Sequence, residues 1–371
     1  MSRKCYILAG GGTGGHLYPG LAVAAEIVRN EPDSLVVFAC SNRPIDARIL
    51  TGTPYSFFAQ PVMPIRKNPL QWPAVVNAWL KSLLLARKVL ADLKPAAVLG
   101  LGGFAAGAIC KVAAVMGIPT AMINPDAVPG KANRYLAAKV DRIFTQFAET
   151  QRYFPKKLQE RIIAAGCPVR AELAGGSRDG AIKFFGLDPD KKTLLVFGGS
   201  ALAETIIAAL TQSAQDLAEL ADRWQLLIPA GRTQSEKLRN ALDAANVSYV
   251  CPEYINRMEL AYAAADLVLC RGGAVTVAEL TAVAKPAVIL PYPYHRDRQQ
   301  YLNAQPLCTA GAAICIDDRI DPAANRELFK KVLFPLMASE EKLNEMHSHA
   351  LKRTNRGAAA MIARWLTSSD N

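Results

Sequence analysis

The chain reads as an α/β protein made of two doubly wound parallel-sheet domains that face each other across a cleft. Three observations predict this. Its 371 residues are more than one hydrophobic core usually serves. Short β-rich runs alternate with helical periodicity throughout, the pattern of right-handed βαβ crossovers. The alternation is interrupted at residues 171–180, rich in Gly, Ser, Asp and Ala, which read as a linker.

In the first half, apolar runs at 5–9, 35–40, 56–59, 97–101 and 120–123 predict strands, with helical patterns at 19–30, about 44–50, 75–93 and 105–116 between them. In the second half, strands at 193–197, 225–228, 247–250, 267–270, 287–290 and 313–316 alternate with helices at 203–220, 234–244, 258–264 and 276–283. A last helix near 357–367 is expected to cross back to the first half. The domains are then 1–168 joined by 357–371, and 169–356.

Composition excludes little but orders the candidates. At 51% hydrophobic and 20% charged it is that of an ordinary globular protein. A net charge of +11 (43 basic against 32 acidic residues) favours an anionic partner without choosing among nucleic acid, phosphorylated metabolite and anionic lipid. Aromatics interleave with basic residues only around Trp72 and Trp79, so no nucleic acid is expected. Eight cysteines form no C-x-x-C pair, and several sit in apolar runs, as buried hydrophobes of a reducing compartment do. Arg3 and Lys4 precede only a five-residue apolar run, too short for a signal peptide, and no transmembrane helix is expected.

Gly10-Gly-Gly-Thr-Gly-Gly-His16 joins the first strand to the first helix. Such a turn lets backbone N–H groups and the positive end of a helix dipole meet an anion, and His16 adds a group able to carry a proton. Its spacing fits the dinucleotide fingerprint, yet the second strand ends in Ser41-Asn42, where an NAD site wants an acid. Gly100-Leu-Gly-Gly103 repeats the device, and two such turns could hold a diphosphate. The plainer readings are a tight turn, a histidine that caps it, and glycines for helix–sheet packing.

In the second half Gly198-Gly-Ser200 and Cys270-Arg-Gly-Gly-Ala-Val-Thr276 each follow a strand. Thr276 and Glu279 share a helix face, where a carboxylate suits ribose hydroxyls; the plainer reading of Glu279 is a solvated helix acid. The amides of Gln299, Gln300 and Asn303, both donors and acceptors, suit sugar hydroxyls, or else make a polar helix start. Asp188-Pro-Asp190 reads as a turn, and no metal site is assigned. Residues 63–88, with Ile65, Leu70, Trp72, Val75, Val76, Trp79, Leu80 and Leu83 beside Lys81, Arg87 and Lys88, read as an interfacial surface for an anionic membrane. Leu80 and Leu83 also fit a core-facing stripe.

This pattern resembles the bacterial MurG-type family, which adds N-acetylglucosamine from UDP-GlcNAc to the undecaprenyl-diphosphate-linked muramyl-peptide intermediate of peptidoglycan synthesis. The resemblance covers nearly the whole chain. It rests on Gly11-Gly-Thr-Gly-Gly-His16 with Pro19-Gly-Leu-Ala22, Gly102-Gly103, Gly166-Cys-Pro-Val-Arg170, Cys270-Arg-Gly-Gly-Ala-Val-Thr-Val-Ala-Glu279 and Asp297-Arg-Gln-Gln-Tyr-Leu-Asn303. It implies a GT-B architecture whose C-terminal half binds UDP-GlcNAc and whose N-terminal half binds the lipid acceptor. By resemblance Ser200, Ala274, Val275 and Thr276 face the donor phosphates, Glu279 the ribose, Tyr254 and Ile255 the uracil, and Gln299, Gln300 and Asn303 the GlcNAc. Arg170 sits near the nucleotide, and Thr13, Gly14, Gly15, Gly102 and Gly103 cradle the acceptor diphosphate.

Two motifs depart from the family pattern. Gly198-Gly-Ser200 is followed by Ala201-Leu-Ala-Glu204 in place of Gln-Gly-Ala, and Ile123-Asn-Pro-Asp126 stands for His-Glu-Gln-Asn. Asp126 thereby joins His16 as a general-base candidate. The expected chemistry is inverting transfer with no cofactor and no metal, on the cytoplasmic face of the cell membrane as a peripheral protein. The alternatives are the same chemistry on another lipid or metabolite, and a nucleotide-sugar-binding protein without transfer.

Overall fold

The structure, a computed structural model, describes residues 3–63, 70, 72–198, 204–230, 232–294 and 297–368, with the side chains of 232–235 outside the description. In the N-terminal part the elements are β1 (Cys5–Gly10), α1 (Gly14–Asn30), β2 (Leu35–Ser41), α2 (Pro44–Thr51), β3 (Ser56–Gln60), α3 (Trp72–Leu93), β4 (Ala97–Gly102), α4 (Ala106–Val115), β5 (Thr120–Asn124), α5 (Lys131–Ala137), β6 (Arg142–Thr145) and β7 (Ile162–Ala164). They build a seven-stranded parallel sheet of order β3-β2-β1-β4-β5-β6-β7.

The C-terminal part continues with α6 (Arg178–Phe185), β8 (Lys192–Phe197), α7 (Glu204–Gln212), α8 (Ala214–Ala218), β9 (Trp224–Leu227), α9 (Arg232–Ala244), β10 (Tyr249–Val250), α10 (Met258–Ala264), β11 (Leu267–Cys270), α11 (Ala274–Val283), β12 (Ala287–Ile289), α12 (Gln299–Thr309) and β13 (Ala313–Cys315). Its six-stranded parallel sheet runs β10-β9-β8-β11-β12-β13. After it come α13 (Pro322–Leu328), a π turn, α14 (Phe334–Ala338), α15 (Glu340–Leu351) and α16 (Ala358–Thr367). The chain divides into two compact units, Met1–Arg170 with Arg356–Asn371, and Ala171–Asn355.

The central strands β1, β4 and β5 of the first sheet are buried throughout, covered on both faces, and are accordingly almost continuously apolar, whereas the edge strand β3 is largely exposed. Tyr6 and Leu8 of β1 face a core shared with Leu17, Val23 and Ile27 of α1 and Ile362 and Leu366 of α16. Cys5, Ile7 and Ala9, one residue out of phase, face Leu90 of α3, Ile109 of α4 and Leu136 of α5. The last helix thus belongs to the N-terminal unit, where Trp365 meets Phe144 edge-on.

Several expectations are corrected. Residues 171–180 are not an open linker: a 3₁₀ turn (Ala171–Ala174) leads into α6, whose N-cap Ser177 accepts from the Gly180 N–H and whose C-cap Gly186 adopts φ +67°. The helix expected over 203–220 breaks at buried Ser213, whose hydroxyl donates back to the Ala209 carbonyl. β6 and β7, short and flanked by charged residues, carry too little periodicity to be read from sequence.

Candidate active site

Both sheets carry the strand order 3-2-1-4-5-6 in their own numbering, so each has one topological switch point, between its first and fourth strands. In the N-terminal unit that point lies between β1 and β4, where the two glycine turns leave the sheet side by side; Gly10 pairs with Gly102. In the C-terminal unit it lies between β8 and β11, which open into α7 and α11. The glycine turns Gly10–Gly15 and Gly100–Gly103 sit at the first of these points and Gly272-Gly273 at the second.

In the N-terminal unit the β4 turn requires glycine. Gly102 and Gly103 have φ +100° and +73°, and a Cβ on either would stand 3.1 Å and 3.0 Å from the His16 ring. The imidazole therefore sits directly against the two glycines, in space that a side chain on either would take. Its Nδ1 lies 3.1 Å from the Gly11 carbonyl oxygen and 3.3 Å from Thr13 Oγ1. A carbonyl only accepts, so Nδ1 carries the proton and Nε2 keeps its lone pair. Burial lowers the His16 pKa; the Gly11 bond and the nearby Asp126 and Asp46 carboxylates oppose this, and Arg43 adds to it. The neutral imidazole is thus the form present at neutral pH.

Asp126 is half-buried, close enough to His16 for its charge to act, and its carbonyl accepts from Asn124 Nδ2 at 2.7 Å. Asn124 Oδ1 in turn accepts from Asn133 Nδ2 at 2.9 Å. Thr13 is the N-cap of α1, but its side chain caps no backbone N–H of the helix, and no acid stands in the first turn, which leaves the N–H groups at the Gly14–Gly15 end uncapped by these means. Arg170 belongs to this unit, its guanidinium 4.8 Å from the centre of the Tyr18 ring.

Sequence reading missed the group that shapes the first turn. Asp46 of α2 is fully buried, and its carboxylate accepts from the N–H groups of Gly12 (2.8 Å) and Ser41 (2.9 Å) and from the Ser41 hydroxyl (2.6 Å). The acid sought at the end of β2 exists a few residues later and turns inward to the glycines. Arg43 Nη1 donates to the Gly12 carbonyl at 2.9 Å, closing the other side.

In the C-terminal unit Gly273 is the N-cap of α11, so Ala274, Val275 and Thr276 form its first turn. Glu279 is buried one turn deeper and accepts from the Tyr262 hydroxyl at 2.9 Å; it is not a solvated acid. Gly272 has no room for a Cβ, which would meet the Gln300 carbonyl oxygen at 2.3 Å. The start of α12 is thereby pressed onto the β11–α11 turn. Gln300 Oε1 accepts from the Tyr292 N–H (2.8 Å), and Asn303, almost wholly buried, donates to the Gly272 carbonyl (3.3 Å). Asn303 thus holds the β11–α11 turn, and Gln300 ties the start of α12 to the segment after β12, while Gln299 is half-buried at the first position of α12. Tyr254 is exposed and Ile255 buried. Ser200, like Ile65, lies outside the described residues.

A second omission is a buried polar network beside this turn. Arg271, 5% exposed, donates through Nη1 to Asp318 Oδ2 (2.6 Å) and to the Leu290 and Pro291 carbonyls (3.1 and 3.3 Å). Its Nη2 donates to the Thr205 hydroxyl (2.7 Å), which itself donates to Asp318. Burial pushes the Asp318 carboxyl up, but bonds from Thr205, Asn325 and Arg271 outweigh it and hold the group below its ordinary value.

Two parallel-sheet units with glycine turns at their switch points are a GT-B architecture, and residues 6–145 and 193–362 match the N-terminal and C-terminal domains of glycosyltransferase family 28, which makes the chain a glycosyltransferase. The chain is 34% identical over 362 residues to the UDP-N-acetylglucosamine--N-acetylmuramyl-(pentapeptide) pyrophosphoryl-undecaprenol N-acetylglucosamine transferase of Chlorobaculum tepidum, covering 96% of this chain and 97% of that one. It is 32% identical to the transferase of the same name from a Thermoanaerobacter species, over 98% and 99% of the two chains. The crystal structure of Acinetobacter baumannii MurG superposes with a TM-score of 0.74 at 25% identity, over 98% of this chain and 99% of that one. The chain belongs to the MurG family of glycosyltransferases.

Proposed function

We propose that this enzyme transfers N-acetylglucosamine from UDP-GlcNAc to a polyprenyl-diphosphate-linked muramyl-peptide acceptor in peptidoglycan synthesis, with inversion at the anomeric carbon. The names of its full-length relatives support the substrates. The observation that carries the chemistry is His16, neutral, locked through Nδ1 and lying against two glycines at a switch point.

In this reading the N-terminal unit takes the acceptor and the C-terminal unit the donor. Thr13, Gly14, Gly15, Gly102 and Gly103 cradle the acceptor diphosphate at the N-terminal end of α1. The α11 N-terminus, with Ala274, Val275 and Thr276, receives the donor phosphates, and Ser200 and Arg170 support them. Glu279 accepts from the ribose hydroxyls, Tyr254 and Ile255 flank the uracil, and Gln299, Gln300 and Asn303 meet the sugar. The acceptor hydroxyl attacks the anomeric carbon, its proton passes to His16 Nε2 or to Asp126, and the bond to the UDP oxygen breaks. Charge on the departing diphosphate is stabilised by the helix terminus.

The same reading places the protein at the cytoplasmic face of the membrane as a peripheral enzyme. Among the described residues no helix is long and apolar enough to cross a bilayer. The outer face of α3 carries Trp72, Val76, Leu80 and Leu84, each more than half exposed, with Lys81, Arg87 and Lys88 also exposed. Leu80 is therefore not a core residue. Val115 and Met116, at the end of α4, are also exposed.

The test is transfer of labelled N-acetylglucosamine to a panel of lipid-diphosphate acceptors, with and without EDTA. Transfer to the muramyl-peptide acceptor that survives EDTA is expected. Turnover of a non-muramyl acceptor alone, or UDP-GlcNAc binding without transfer, would overturn the assignment, and a strict need for a divalent cation would overturn the metal-free step.

A further inference from the structure

A guanidinium that opens a turn into a phosphate-binding helix would ordinarily be read as a phosphate ligand. Arg271 opens the turn into α11, yet its guanidinium is engaged inside the protein by Asp318, Thr205 and two carbonyls, and Tyr292 lies 5.8 Å from it at the ring centre. Asp318 is equally saturated. Its Oδ2 takes Arg271 and Thr205, and its Oδ1 takes Asn325 Nδ2 (2.8 Å) and the Ile320 N–H (2.7 Å). Asn325, fully buried, accepts in turn from the Arg319 N–H at 2.8 Å.

The partners come from different connections of one sheet. Thr205 lies in the first turn of α7, after β8; Arg271 follows β11; Leu290 and Pro291 follow β12; Asp318 follows β13. β8 and β11 are the two strands that flank the switch point. The Thr205 hydroxyl is donor to one partner and acceptor from the other, so its rotor is fixed, and a saturated network of this kind has one low-energy arrangement.

We infer that Asp318, acting through Arg271 and Thr205, is a positioning residue for UDP-sugar binding: it withholds the Arg271 charge from the donor and sets the start of α7 against the turn before α11. The inference rests on reading the C-terminal unit as the UDP-sugar half. It predicts that donor affinity depends on side chains that touch no part of the donor.

The test compares Thr205→Val, Thr205→Ser and Asp318→Asn in the full chain, by UDP calorimetry and by KM for donor and acceptor. Thr205→Val keeps the shape and removes the bridging hydroxyl, so it remains informative if Asp318→Asn folds poorly. Loss of one such bond is expected to weaken UDP and raise the donor KM at least about fivefold, with the acceptor KM unmoved. Thr205→Ser, which restores the hydroxyl, is expected to bind as the parent does. UDP binding unchanged in Thr205→Val, an equal loss in Thr205→Ser, or donor and acceptor KM rising together would overturn the inference. Failure of the parent chain to bind UDP would instead overturn the donor reading on which it rests.

Discussion

His16 shows how one side chain is prepared by residues that do no chemistry. The Gly11 carbonyl selects the tautomer, Gly102 and Gly103 give the ring its bed, and burial lowers its pKa below the ordinary value. His16→Ala is expected to lower kcat by about 10²–10⁴ if Nε2 is the base. Gly103→Ala should also lower it, because its Cβ would displace the ring and the residue would be held at φ +73°. Because the folded pKa lies below 6.5, the acid limb of kcat is expected under that value, with rate lost as pH falls through it. Asp126→Asn then separates the two candidates. It removes an influence that raises the His16 pKa, so it moves the limb to lower pH if His16 is the base and abolishes turnover if Asp126 is.

At the scale of single elements, α3 shows two faces spaced about half a turn apart. Ala78, Ser82, Ala86 and Leu90 recur every four residues and face inward, while Trp72, Val76, Leu80 and Leu84 recur every four and face outward. With helical spacing on both sides, periodicity alone could not decide which stripe is core, and the small residues turned out to be the buried ones. Trp79 closes against Gly107 of α4, where a Cβ would stand 2.9 Å from the indole, which explains the close approach of these helices. Leu80→Glu with Leu84→Glu is expected to cut sedimentation with anionic vesicles by roughly tenfold or more, leaving turnover of a short-chain soluble acceptor unchanged. Equal vesicle binding by this variant would remove α3 from the membrane face.

At the scale of the molecule, the repeating strand–helix alternation and the glycines that end strands were legible in sequence, because parallel strands buried on both faces must be apolar and their turns must be small. What could not be read was partnership at a distance. Asp46 and Ser41 are five residues apart, but the Gly12 N–H they surround is thirty-four residues from Asp46. Thr205 and Asp318 are separated by 113 positions and meet only because β8 and β13 belong to one sheet. The return of α16 carries its own prediction. It inserts Ile362 and Leu366 into the N-terminal core, a contribution of about 3–6 kcal/mol for two large buried side chains. Truncation after Asn355 is expected to lower the melting temperature of the N-terminal unit while UDP binding by the C-terminal unit persists, as followed by calorimetry; loss of both together would show that the units do not fold separately.

That helix also imposes an order on biosynthesis. A ribosome releases residues 171–355 as one uninterrupted stretch, so the C-terminal unit has all its strands before translation ends. The N-terminal unit, although made first, must wait for residues 358–367 before Leu8, Phe38 and Leu99 have their full cover. The half that carries the exposed apolar stripe of α3 is therefore the last to have its core fully covered.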